Sequence, residues 1–297
     1  MTPGNPTEPV RIWGIPASES PVVGVIARYP SVAGKRWTCV LKWNTATDDV
    51  EVGAWTTLRL SQNVCALSPD GEYLFYTAAG PLKGPFSRMF GGGVAISRLP
   101  WLSALTDIRP ASVVGGGPSK HALADAEQER LWLIFAETPW YSRPEDWPRP
   151  FGPKWSPEEI RNYPPERVPR QSANRRVRRI ATANLPGRNL RLVVIVDRVR
   201  ASADQQDKPR FFLECRDGSG ELAELPGLRW AHPTPDGQIA AATLDGRLQR
   251  LVPTSPGDPA SGVRARFERD LTGLRPTPAP SPARARAPLN SRRRKAP

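Results

Sequence analysis

Apolar and polar residues alternate in short runs along most of the chain. The runs are broken by proline, glycine and aspartate, with no long amphipathic stretch between them. Residues 10–14, 22–29, 36–43 and 50–55 are rich in β-branched and aromatic side chains and read as strands, and residues 56–60 alternate at the strand period of two. Further strands are expected at 66–77, 190–196, 211–215, 221–225, 239–243 and 244–251, and residues 101–108 fit a short helix or a strand equally. Short strands separated by turn residues, with no helical period among them, predict an all-β meander.

One unit of this pattern recurs. Ala66-Leu67-Ser68-Pro69-Asp70-Gly71 leads into the apolar run 73–76, and Ala231-His232-Pro233-Thr234-Pro235-Asp236-Gly237 leads into 239–242. Proline presets φ for a turn and glycine accepts positive φ, so each copy is a hairpin whose aspartate sets the turn. Asp245-Gly246 supplies another such turn, and residues 122–135 read as a worn copy in which Asp125-Ala126-Glu127-Gln128 replaces Pro-Asp-Gly. The copies start near Ala66, Ala122 and Ala231, 56 and 109 residues apart, as if an unmarked unit lay around 178–196.

A period of fifty-odd residues built of four short strands is that of a propeller blade. The Ser68-Pro69-Asp70-Gly71 and Thr234-Pro235-Asp236-Gly237 hairpins resemble the Ser-Pro-Asp-Gly repeats of WD-like and Tol-type β-propellers, over about a quarter of the chain. The resemblance implies antiparallel four-stranded blades and names no site, because such repeats use their aspartates to shape turns. A sandwich and an incomplete propeller both stay open at this point.

Residues 137–171 break the pattern with proline, tryptophan and charge. Within this insertion Ser156-Pro157-Glu158-Glu159 has the form of a capped helix start, which predicts one short helix. The aromatic residues Trp140, Tyr141, Trp147, Phe151 and Trp155 suit either a plug packed onto the body or a binding lid, and the burial preference of large aromatics favours the plug. Glu145, Asp146, Glu158 and Glu159 read as solvating and helix-start acids. A flexible start at 1–9, a propeller-like body at 10–262 and a disordered Arg/Pro-rich tail at 263–297 complete the expected organisation.

Charge changes the picture only once it is located. The formal charge is +13, of which residues 263–297 carry +8 and residues 167–200 carry +9, leaving the remainder at −4. Arg175, Arg176, Arg178 and Arg179 form the densest basic cluster, expected on a solvated edge strand, and Arg292, Arg293 and Arg294 close the tail. Arginine in excess of lysine beside heavy alanine and proline use is also what a GC-rich bacterial genome produces without any phosphate to bind. The three cysteines, Cys39, Cys65 and Cys215, are too far apart for a zinc site or a disulfide framework and read as buried packing residues. The glycine run 115–117 lacks the Gly-Lys-Ser/Thr helix start of a phosphate loop. No window is long and apolar enough for a membrane helix, and the N-terminus lacks a basic start and an apolar run, so no membrane contact and a cytoplasmic location are expected.

No cofactor, metal or catalytic residue is indicated. The reading that ranks first is a non-enzymatic scaffold whose loops and 137–171 insertion, with Trp140, Tyr141, Trp147 and Trp155, contact an unidentified protein partner. Nucleic-acid binding through Arg175, Arg176, Arg178, Arg179 and Arg292, Arg293, Arg294 ranks second, and a hydrolase with its site in a propeller funnel ranks third.

Overall fold

Strands joined by turns of a few residues can pair only antiparallel, and the chain does so four times. The structure, a computed structural model, describes residues 9–32, 34–60, 65–79, 92–105, 109–110, 156–158, 177–198, 208–216 and 222–286. The first sheet runs in the order β1 (Arg11–Pro16), β2 (Val22–Val32), β3 (Lys35–Asn44), β4 (Asp49–Thr56). The second places β7 (Tyr73–Ala79) and β8 (Gly92–Arg98) at its centre, with β5 (Arg59–Leu60) and β6 (Ala66–Leu67) both on β7 and β9 (Arg109–Pro110) on β8. The third runs β10 (Ser156–Glu158), β11 (Val177–Asn184), β12 (Leu190–Arg198), β13 (Lys208–Cys215), β14 (Ala223–Leu225). The fourth runs β15 (Leu228–Pro233), β16 (Ile239–Thr243), β17 (Arg247–Pro253), β18 (Val263–Asp270). Each sheet is a meander of short strands, so the all-β, propeller-like class expected from the sequence is what the chain adopts.

Two compact units hold these sheets. One takes Ile15–Asp146 together with Leu274–Pro297, the other Pro9–Gly14 and Trp147–Gly273. In the second unit, alternate residues of β11, β12 and β13 (Ala181, Ala183, Leu192, Val194, Phe211, Leu213) pack against Leu228, Ala231, Ile239, Ala241 and Leu251 of the fourth sheet. The opposite face of the third sheet carries Ile180, Val193, Ile195 and Phe212, also buried. Burial on both faces explains why β12 reads as a nearly unbroken apolar run, and why its pattern predicts a strand without saying which face is core.

The repeated hairpins define how sheets pack inside each unit. In the first unit the Ser68 hydroxyl donates to Asp70 Oδ1 at 2.5 Å and accepts from the Tyr73 N–H at 2.9 Å. The same carboxylate oxygen accepts the Glu72 N–H at 2.9 Å. In the second unit Thr234 repeats the arrangement, donating to Asp236 Oδ1 at 2.5 Å and accepting from the Gln238 N–H at 3.2 Å. The Gln238 side chain adds a donor to Asp236 Oδ2 at 2.7 Å. A third turn, Thr243 to Asp245 with the Arg247 N–H on the Thr243 hydroxyl, follows the same plan.

Both hairpins then dock on the neighbouring sheet of their own unit. The Ser68–Gly71 turn is held by the Glu19 N–H on the Pro69 carbonyl at 3.0 Å and the Ser20 hydroxyl on the Asp70 carbonyl at 2.8 Å. The Thr234–Gly237 turn receives the Arg188 Nε–H on the Gly237 carbonyl at 2.7 Å, from the turn between β11 and β12. Gly71 and Gly237 adopt φ of +74° and +72°, and a Cβ there would lie 2.6 Å from Val22 Cβ and 2.2 Å from the Pro186 carbonyl oxygen. Only glycine meets the conformation and the space together.

Three expectations are corrected. Residues 156–158 are not a helix start but strand β10, paired with β11 in the register Ser156↔Thr182, Pro157↔Ala181 and Glu158↔Ile180. The capping pattern is a local preference, and tertiary pairing at a sheet edge, where proline is tolerated, overrides it. Arg178 and Arg179 lie in β11 and pair with β12, whereas β10 reaches only Ile180–Thr182, so the edge-strand expectation is not overturned at the two arginines. The body does not end at residue 262: Val263–Asp270 is β18, paired along β17. Its side chains are largely exposed, and its stability comes from main-chain pairing that an apolar-residue criterion does not register. The segment 101–105 forms neither of its alternatives, contributing only an isolated bridge between Ser97 and Ala104.

Replacing Asp70 or Asp236 with alanine strands a buried hydroxyl and removes a turn acceptor, and each is expected to cost about 1–3 kcal/mol in urea unfolding. Loss below about 0.5 kcal/mol would mean that the glycines alone hold the turns.

Candidate functional site

Chemistry needs a reactive group that is not already occupied. The three thiols are free of disulfides. Burial of the Cys39 sulfur pushes its pKa up to about 12, against a smaller opposing effect of a hydrogen bond from the Gly53 backbone. Cys65 is half-buried as a residue, but desolvation of its thiol likewise pushes it up to about 12, opposed by the Thr77 backbone. Cys215 donates from Sγ to the Gly257 carbonyl at 3.3 Å. The Cys39 and Cys65 thiols are thus protonated at neutral pH and act as packing residues. His232 is buried and stacks on Trp230 with ring centroids 6.2 Å apart. Among the described residues no group of three or more His, Cys, Asp or Glu is placed to hold a metal ion.

Several arginines of the described body are matched by carboxylates of the same unit. Arg191 meets Glu214 directly across β12 and β13 at 2.8 Å, with Glu214 buried. Arg210 reaches Glu224 at 3.9 Å and lies over the Phe212 ring at 5.3 Å. Arg247 bridges Glu268 at 2.6 Å and Asp245 at 3.2 Å. Hydrogen bonds from Gln249 and then Arg247 hold the Glu268 carboxyl below its ordinary range. The Asp70 and Asp236 carboxylates are committed to their turns, in keeping with the structural role expected for them.

One cluster in the first unit joins distant parts of the sequence. Arg98, at the end of β8 and nearly buried, has its Nε 3.5 Å from the Glu72 carboxylate and its guanidinium 5.7 Å from the centre of the Tyr73 ring. Burial, with the Glu72 charge, raises the Tyr73 pKa, and Arg98 opposes the rise. Arg98 Nη1 also donates to the Arg284 carbonyl at 3.4 Å. Arg284 lies in a single helical turn, α1 (Ala283–Arg286), and its own guanidinium meets Glu51 of β4 at 2.5 Å. Ala285 between these contacts is 1% exposed. The sequence signal for this site was weak: an Ala-Arg-Ala-Arg stretch inside a proline-rich segment has no apolar period to mark it.

Most residues singled out from the sequence fall elsewhere. Trp140, Tyr141, Trp147, Trp155, Arg175, Arg176, Arg292, Arg293 and Arg294 lie outside the described residues, as do the glycine run at 115–117 and the hairpin copy at 122–135. Arg178 and Arg179 stand opposite Asp197 and Val196 in the β11–β12 ladder. The expected aromatic and basic site therefore falls almost wholly outside the described residues, and the cluster that these do build, Glu51, Glu72, Tyr73, Arg98 and Arg284, was not among the residues singled out. Among the described residues no helix is long and apolar enough to cross a membrane.

No protein-family model matches the chain, and no curated protein matches it. Among solved structures the chain is similar to the crystal structure of the tricorn protease, at 9% identity and a TM-score of 0.24, over 86% of this chain and 22% of that one. The chain thus spans about a fifth of the length of that structure.

Proposed function

We propose that this protein is a non-enzymatic, β-propeller-like scaffold of the WD-like or Tol type that binds another protein. The observation that supports this reading most is the commitment of its polar groups. The repeated aspartates serve turns, and Arg98, Arg191, Arg210, Arg247 and Arg284 are each neutralised by a carboxylate of the same chain. Among the described residues these pairs mix the charge of the sheets, with Arg264 and Arg266 of the exposed β18 outside them, and no acid and base converge for hydrolysis. Rigid sheets with connecting segments of varied composition are what a binding scaffold needs.

The experiment is affinity capture with full-length protein and with a chain ending at Arg286, which keeps β18 and α1 but removes Arg292, Arg293, Arg294 and Lys295. Each is treated with and without nuclease and washed at low and high salt. A protein partner that survives nuclease and is retained by both chains is the expected outcome. Capture that vanishes with nuclease, or with removal of residues 287–297 in a salt-dependent manner, overturns the scaffold reading in favour of nucleic acid.

A further inference from the structure

The segment after β18 crosses from one unit to the other. Residues up to Gly273 belong to the second unit, while those from Leu274 belong to the first. Pro276, Pro278, Pro280 and Pro282 occupy alternate positions, residues 277–280 are exposed, and contact resumes at 281–286 with Ala285 fully covered. Proline at every second residue stiffens the chain toward an extended form, so ordering this stretch loses less entropy than ordering a flexible one. A stiff exposed spacer thus delivers a small anchor to a prepared place.

That place is specific in three respects. Of the two alanines of α1, Ala283 is exposed and Ala285 is the one that is buried. The carbonyl of Arg284 accepts from the nearly buried Arg98, whose own position is fixed by Glu72 and the Tyr73 ring. The Arg284 guanidinium meets Glu51, with both side chains substantially exposed. The turn itself is closed by the Ala285 N–H on the Pro282 carbonyl at 2.9 Å. The recognised pattern is therefore a proline, a small residue inward and an arginine outward, read by a buried guanidinium and a surface carboxylate.

We infer that Glu51, Arg98 and their neighbours form a recognition seat for a proline-led Ala-Arg-Ala turn, filled in cis by residues 282–286 as a latch that opens and closes. An ion pair this exposed contributes little and is screened by salt. The tether, by keeping the anchor at high local concentration, is what holds the seat filled. An open latch leaves the seat free for a peptide of the same pattern supplied in trans. This goes beyond the scaffold reading and holds whether or not the body binds a second protein.

Charge exchange in the full-length chain tests it. Hydrogen exchange across residues 274–286 is measured for the native protein and for Glu51→Arg, Arg284→Glu and the double variant carrying both changes. Far-ultraviolet circular dichroism confirms that the sheets persist. Each single reversal is expected to lower protection of the segment about fivefold, and the double variant to restore it to within about twofold of native. Raising salt from about 50 to about 500 mM is expected to lower protection in the native chain and leave the single variants nearly unchanged. In the second arm a fluorescent peptide of residues 276–286 is titrated onto full-length protein. It is expected to bind the Arg284→Glu chain severalfold, up to about fivefold, more tightly than the native chain, whose seat is filled, and to bind Glu51→Arg no more tightly than the native chain. Unchanged protection in both single variants, failure of the double variant to recover, or equal peptide binding by all chains overturns the inference.

Discussion

Two glycines that cannot be anything else hold the geometry of this protein. Gly71 and Gly237 each close an Asp-Gly turn at positive φ, and each has the neighbouring sheet of its own unit pressed where a side chain would begin. Conformation and contact are satisfied by the same absent atom, so turn shape and sheet packing are fixed in one place. The Ser68–Asp70 and Thr234–Asp236 hydrogen bonds then hold the turn against the chain's tendency to open. The two turns occupy matching positions, each between the first two paired strands of the later sheet in its unit and each pinned to an earlier hairpin connection.

This explains what the sequence made legible. Asp-Gly flanked by apolar runs is a local instruction, readable without knowing what lies across from it, and the hairpins at 66–77 and 231–243 form as expected. Strands β2, β3, β7, β12, β13 and β16 carry branched and aromatic residues whose burial on the sheet faces shows directly as composition. What the pattern did not mark were strands that exist because a partner supplies hydrogen bonds. β18 is mostly charged and exposed, and β10 contains a proline, yet β17 and β11 pair with them. Edge strands draw on main-chain groups, which are the same in every sequence.

The basic segment shows the same limit in another form. Composition alone placed residues 263–297 outside the fold, because no run of them can bury a core of its own. Residues 274–286 need none: the seat is built by Glu51, Glu72, Tyr73 and Arg98, and one alanine, one carbonyl and one guanidinium suffice to fill it. A binding event is encoded at the receptor as well as the ligand, and the receptor residues are spread over β4, β7, β8 and the turn before β7. Part of the positive charge of the described chain is likewise met by glutamates that lie beside it in space but not in sequence, as Arg191 and Glu214 do across β12 and β13.

The measurement that bears most directly on this account compares two glycine substitutions within the second unit. Gly187 and Gly237 share nearly the same backbone conformation, at φ of +69° and +72°, but a Cβ at Gly187 meets nothing within 4 Å while one at Gly237 meets the Pro186 carbonyl oxygen. Alanine at Gly187 therefore carries only the conformational cost, about 1 kcal/mol. Alanine at Gly237 adds the clash, for about 2–4 kcal/mol in all by urea unfolding. A loss at Gly237 well above that at Gly187 is the predicted result; equal losses would show that the turn, and not its seating on the neighbouring sheet, is all that glycine provides.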